Sequence, residues 1–136
     1  MEKISAVMIT KNEEKNIRRT LDSINWVDEI VIVDQFSQDR TPEICRARGC
    51  RVYQKEMEGF GVQKQFGVDQ ACHEWILSID ADEVATEELK ESIQGVLSAN
   101  SDEAGFYIYR RNNYLGKWIR HCGWYVPILR LFRKTR

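Results

Sequence analysis

Apolar positions along this chain fall into short solid runs separated by stretches of helical spacing. Residues 4–9 (Ile-Ser-Ala-Val-Met-Ile) and 29–33 (Glu-Ile-Val-Ile-Val, ending at Asp34) are apolar on both faces, as strands inside a parallel sheet must be. A weaker run follows at 51–53, and the strongest is Trp75-Ile76-Leu77-Ser78-Ile79. Between the first two runs, Ile17, Leu21 and Ile24 recur at helical spacing, with Asn12 as the expected N-cap and Glu13 and Glu14 in the first turn. Thr41 is expected to cap a second, short helix with Pro42 at its first position, running to Arg48 and stopped by Gly49. A glycine-bearing loop at 58–61 leads to a third helix over 62–72, with Val62, Phe66 and Ala71 as its packing face. Thr86 opens a fourth over 87–97, with Leu89, Ile93, Val96 and Leu97 inward. Strand, helix, strand, helix, strand predicts an α/β fold, a mostly parallel sheet flanked by helices with right-handed crossovers. Beyond a polar linker at 100–103, residues 106–109 and 129–132 read as further strands.

At 136 residues the chain is expected to form one domain, and 43% hydrophobic with 30% charged residues is an ordinary globular composition. The net charge of -1 selects no partner, but its distribution is uneven. From Ala104 onward there is no acid and eight basic residues, so the first 103 residues carry the negative charge. Eight of the fourteen aromatic residues also fall in this last part. The four cysteines form no C-x-x-C pair and only His73 and His121 could join them, which argues against a zinc site and for reduced thiols in the cytoplasm. The N-terminus lacks the apolar core of a signal peptide, and no run approaches the ~18 apolar residues of a membrane span.

The chemistry gathers where the strongest apolar run stops, at Asp80-Ala81-Asp82-Glu83. If the extended chain continues through them, Asp80 and Asp82 point the same way and offer hard oxygen ligands to Mg²⁺ or Mn²⁺ beside a diphosphate. The pattern is short, and acids that merely end a strand match it by chance. Two more strand ends carry polar groups: Thr10 with Asn12 and Glu13, and Asp34 with Ser37 and Asp39. Ligands of open parallel sheets sit outside the carboxyl ends of the strands. The first turn, Thr10-Lys11-Asn12-Glu13-Glu14, has no glycine, which argues against a dinucleotide fingerprint or a P-loop.

Together these pieces resemble the inverting family 2 glycosyltransferases of GT-A fold, and in particular the bacterial subgroup that builds lipopolysaccharide core. The resemblance rests on residues 7–14, on 30–34 followed by Ser37-Gln38-Asp39-Arg40-Thr41, on Gln63-Lys64, on Asp80-Ala81-Asp82-Glu83, and on 105–107 through 118–121 and 123–125. It implies a Rossmann-like α/β/α sandwich in which Thr10, Asn12 and Glu13 line the nucleotide pocket and Asp34 contacts uracil or ribose. Lys64 is then near the base or diphosphate, Asp80 faces the ribose or the metal, and Asp82 holds the divalent cation, Mg²⁺ or Mn²⁺. The implied reaction moves a sugar with inversion from a UDP-sugar to a lipopolysaccharide-core or other glycan or lipid-linked acceptor.

On that resemblance, residues 1–103 are the donor-binding part and 104–136 the start of an incomplete acceptor side. The general base is expected beyond the chain's end; Glu83 belongs to the donor side and is not assigned as base. Relatives place an acid near the proline of Val126-Pro127-Ile128, and this sequence does not. A catalytically incomplete nucleotide-sugar-binding module is therefore the alternative expectation. The basic, aromatic tail has two readings: Arg110, Arg111 and Arg120 meet a phosphorylated glycolipid at the inner membrane surface, or Trp118, Trp124 and Tyr125 pack on the sheet while the arginines solvate it. Nucleic acid is not expected, since no recognised module accompanies the charge. The expected location is cytoplasmic, with peripheral association at the inner face of the membrane.

Overall fold

The computed structural model describes residues 1–100, 102–111, 114–118 and 127–135, with side chains between 107 and 129 outside the description. The element order is β1 (Ile4–Thr10), α1 (Ile17–Ser23), β2 (Glu29–Asp34), α2 (Thr41–Ala47), β3 (Arg51–Gln54), α3 (Phe60–Gln70), β4 (Trp75–Ser78), β5 (Val84–Ala85), α4 (Glu87–Ala99), β6 (Gly105–Arg111), β7 (Tyr114–Trp118) and β8 (Pro127–Arg133). They build one sheet of order β3-β2-β1-β4-β8-β6-β7-β5. Strands β3, β2, β1 and β4 run parallel, while β8 lies antiparallel to both β4 and β6. The α/β expectation holds, and the segment after residue 104 adds three strands to the same sheet.

The solid apolar runs are buried as the pattern requires: Ile4, Ala6, Val7 and Met8 in β1, Val31 to Val33 in β2, and Trp75 to Leu77 in β4 are all at most 2% exposed. One core lies under α1, α2 and α4, where Ile17, Leu21, Ile24, Leu89, Ile93 and Leu97 meet the sheet. A second lies under α3, formed by Val7, Val31, Val68, Ala71 and Ile76. Trp75 is sealed at the base of β4: its Nε1 donates to Glu2 Oε2 at 2.8 Å and Arg133 stacks 4.4 Å above its ring.

Several local expectations are corrected. Asn12 does not cap α1; it sits in the left-handed region (φ 52°), which asparagine tolerates, and Asn16 takes the N-cap position. Thr41 lies inside α2 rather than capping it, its hydroxyl donating to Asp39 and accepting from Glu13 N–H, while Pro42 sits in the first turn and Gly49 (φ 82°) ends the element as expected. The third helix buries Gln63, Gly67 and Val68 instead of Val62 and Phe66, and Val62 is 46% exposed. The cause is the glycine. A Cβ on Gly67 would stand 2.5 Å from Val7 Cγ1, so this face alone lets the helix approach β1 so closely. Thr86 caps α4 as expected, accepting from Leu89 N–H at 3.1 Å.

Candidate functional site

Strands β1, β2 and β4 end on the same side of the sheet, and the loops that leave them are laced together. Thr10 Oγ1 donates to Asp34 Oδ1 at 2.6 Å, and Ser37 gives Asp34 both its hydroxyl (2.6 Å) and its N–H (2.8 Å). Asn12 N–H donates to Ser37 Oγ and Asn12 Oδ1 accepts from Gln38 N–H, each at 2.8 Å. Glu14 N–H reaches Asp39 Oδ2 at 3.1 Å, and Arg40 N–H returns to Glu14 Oε1 at 2.9 Å. Asp34 is fully buried in this lattice, with both oxygens engaged by protein donors. Burial works against the Asp39 carboxylate, but the Thr41 hydroxyl and N–H and the Glu14 N–H hold its pKa below the ordinary value.

After β4 the chain does not stay extended. Ile79 N–H makes a last bond to Val7 O at 3.2 Å, and Glu83 N–H then closes on Asp80 O at 3.0 Å, so residues 80–83 form a turn. The alternation argument for Asp80 and Asp82 is thus superseded by the turn, which still sets both beside one cleft. Buried contacts fix it. Thr20 of α1 donates its hydroxyl to Ala81 O at 2.7 Å, Ser23 Oγ accepts from Ala85 N–H at 3.0 Å, and Glu83 Oε1 accepts from Asp80 N–H at 2.8 Å.

The cleft has a volume of about 410 Å³. The end of β1 supplies Thr10, Lys11 and Glu13, and the chain after β2 supplies Gln35. Met57, Phe60 and Lys64, at and just before the first turns of α3, line it together with Asp80 and Asp82 of the turn. Of the residues expected at the site, Thr10, Glu13, Lys64, Asp80 and Asp82 line this cleft, whereas Asn12 and Asp34 stand behind it in the loop lattice. Burial raises the Glu13 carboxyl above its ordinary pKa, and the charges of Asp82, Asp39 and Asp80 push the same way. Three carboxylates therefore face one opening within electrostatic reach of each other.

Phe60 and Lys64 were not paired by the sequence reading, although their spacing of four puts them on one helix face. Arg130, one of the eight basic residues after Ala104, is 2% exposed and forms a double ion pair with Glu83, at 2.7 and 3.0 Å. Burial raises the Glu83 carboxyl, and the Arg130 guanidinium and Asp80 N–H limit the rise. Both Glu83 oxygens accept from the Arg130 guanidinium. Arg133 is likewise buried against Trp75 and Glu2 rather than solvating the tail. Arg120, Trp124 and Tyr125, and the side chains of Arg110, Arg111 and Trp118, lie outside the described residues.

A divalent cation fits the donor set here. Asp80 and Asp82 offer carboxylate oxygens, the ligands hard cations prefer, and the Asp80 side chain is 43% exposed. Among the described residues no three His, Cys, Asp or Glu side chains converge on one point, so a cation held by this pair would need water or ligand oxygens at its remaining positions. No helix among the described residues is long and apolar enough to cross a membrane.

Comparison with known proteins places the chain among glycosyltransferases. An uncharacterized glycosyltransferase of Rickettsia felis is 40% identical over 104 residues, covering 76% of this chain and 37% of its own length. The lipopolysaccharide core biosynthesis glycosyltransferase LpsC of Rhizobium meliloti is 31% identical over 118 residues, covering 83% of this chain and 44% of its own. Among solved structures, S. aureus TarS 1-349 superposes with a TM-score of 0.61 at 31% identity, over 74% of this chain and 34% of that one. The same protein in complex with UDP gives 0.57 at 26%, over 71% and 32%. Glucosyl-3-phosphoglycerate synthase from Mycobacterium tuberculosis, in complex with Mn²⁺, UDP-glucose and phosphoglyceric acid, gives 0.54 at 25%, over 61% and 35%. The chain thus spans about a third to somewhat under half of the length of these relatives. Residues 5–136 match the family described as glycosyl transferase family 2, and the chain belongs to that family.

Proposed function

We propose that this chain forms the donor site of a glycosyltransferase, binding a UDP-sugar with a divalent cation in the cleft between Lys64 and Asp80–Asp82. One observation carries the reading: a cation and two carboxylates from distant parts of the sequence meet on one cleft at the carboxyl ends of parallel strands. In this arrangement Asp82 and Asp80 would hold the cation, and Lys64 would pair with diphosphate oxygen. Thr10 and Glu13 border the nucleoside, and Asp34 holds Thr10 and Ser37 in place behind it. UDP and UDP-sugar complexes of TarS, and the Mn²⁺ complexes of the mycobacterial synthase, support the choice of ligand.

The bound cation would supply Lewis-acid stabilisation of the charge that grows on the leaving diphosphate. The chain's own residues orient the donor and hold the Asp80–Glu83 turn beside it. The acceptor hydroxyl attacks C1 of the sugar from the face opposite the diphosphate, inverting that centre, and a base outside the residues assigned here removes its proton. The likeness to LpsC supports a lipopolysaccharide-core or related lipid-linked acceptor, met by the part of the sheet after residue 104.

Thermal unfolding with a panel of nucleotides tests the donor class. UDP with Mn²⁺ is expected to raise the melting temperature by several degrees, and ADP or GDP with Mn²⁺ by less than half as much. An equal response to all three would contradict a uridine site. UDP release from a UDP-sugar then separates a transferase from a module that only binds.

A further inference from the structure

We infer that Arg130, on β8, is the positioning residue of the cation site: it fixes the Asp80–Glu83 turn and cancels the one carboxylate there that does not face the ligand. The inference rests on the donor-site reading above and extends it to a residue 47 positions away from the motif.

The geometry is specific. Arg130 is 2% exposed, and its Nη1 donates to Glu83 Oε1 at 2.7 Å and to Ser78 O at 3.2 Å, the last residue of β4. Nη2 donates to Glu83 Oε2 at 3.0 Å and stands 3.6 Å from Asp80 Oδ2. Glu83 Oε1 in turn accepts the Asp80 N–H at 2.8 Å. One guanidinium therefore touches the end of the strand, the first acid of the turn and the last. A lysine could not, because its ammonium lacks the planar fork that engages both carboxylate oxygens while reaching a third and fourth partner.

Charge explains why such a contact belongs at this site. Asp80, Asp82 and Glu83 are three acids in four residues. With Glu83 paired to Arg130, Asp80 and Asp82 are the turn's two carboxylates left to the cleft, beside Glu13 from the end of β1. Without Arg130, a buried uncompensated carboxylate would sit directly behind the cation site. The donor of this contact sits on an antiparallel strand that also pairs with β6, so the second half of the sheet helps to set the geometry of the donor half.

The test removes the pair as a unit, because a buried carboxylate left alone would destabilise the fold by itself. In Arg130→Met/Glu83→Gln the glutamine oxygen can still accept the Asp80 N–H, and the methionine keeps the volume. The expected result is a folded protein whose UDP affinity in the presence of Mn²⁺ falls tenfold or more, with metal-free UDP affinity within twofold of the native chain. Amide hydrogen exchange at Asp80 to Glu83 is expected to speed up at least tenfold without a matching change in β1. Arg130→Lys, which keeps the charge and loses the fork, is expected to fall between the two and serves if the double variant does not fold. Native Mn²⁺–UDP affinity together with native exchange at the turn would overturn the inference and leave the pair a packing element. If the native chain itself does not respond to Mn²⁺, the donor-site reading fails, and the exchange rates alone decide whether Arg130 fixes the turn.

Discussion

Asp34 shows what single residues contribute to this site. Its carboxylate accepts from Thr10 Oγ1, Ser37 Oγ and Ser37 N–H while fully buried, so Asp34→Ala strands three donors at once. We expect that change to cost about 2–3 kcal/mol in urea unfolding, since each buried polar group left unpaired costs about 1–3 kcal/mol. Glu29 makes a second prediction. Burial opposes its charge, but Ser5 Oγ, Cys72 N–H and Arg51 bind the carboxylate and bring its pKa down to about 2 from 4.5. A folded pKa below the unfolded one gives stability that is present above pH 4.5 and lost as pH falls toward 2. Glu29→Gln should therefore lower stability at neutral pH and flatten its loss across that window, as read by urea midpoints at several pH values. At this scale the sequence was legible where chemistry narrows the choice. Asp80 and Asp82 are of the type a divalent cation requires, Lys64 and Glu13 came in with the family resemblance, and all four line the cleft. Asn12 was misread because asparagine is favoured both at helix starts and in the left-handed region, and only the loop partner Gln38 decides between them. Arg130 and Glu83 were not read as a pair because no local spacing links residues 47 apart.

Among the elements, α3 carries the clearest test. Its close approach to β1 and β2 depends on Gly67, where a Cβ would meet Val7 Cγ1 at 2.5 Å and Val33 Cγ2 at 3.1 Å. Gly67→Ala should destabilise by about 1–3 kcal/mol, the usual cost of overpacking. Adding Val7→Ala should recover part of that loss, because it removes the nearer clash. A Gly67→Ala protein as stable as the native one would mean that the helix is free to shift. Helix α4 offers a smaller effect: Thr86→Ala should cost about 1 kcal/mol, the usual value of a lost N-cap. The helices were legible in number and order, since apolar spacing and punctuating glycines survive any packing. The buried face of α3 was not. Periodicity ranks residues by apolarity, and here the sheet selected the smallest residue rather than the most apolar ones.

Across the whole molecule, a parallel half of β3, β2, β1 and β4 is continued by antiparallel β8, β6 and β7 in one sheet. The alternation of strands and helices announced the first half. The second half was announced only as two strand-like runs, because β7 forms by pairing with β6 and the two-residue β5 by pairing with β7, 30 residues away at Val84 and Tyr114. The uneven charge of the chain also reads differently once folded. Arg130 and Arg133 are drawn into the interior by Glu83 and Glu2, so part of the basic tail is used to join the halves and not to meet a partner. The central claim is that Asp82 and its neighbours form a cation-dependent uridine diphosphate site. The most direct measurement is isothermal titration of UDP, with and without Mn²⁺, into the native chain and into Asp82→Ala. The account predicts binding that strengthens at least tenfold with Mn²⁺ in the native chain and loses that dependence in Asp82→Ala. Equal affinity with and without Mn²⁺ in the native chain, or an unaltered response in Asp82→Ala, would contradict it.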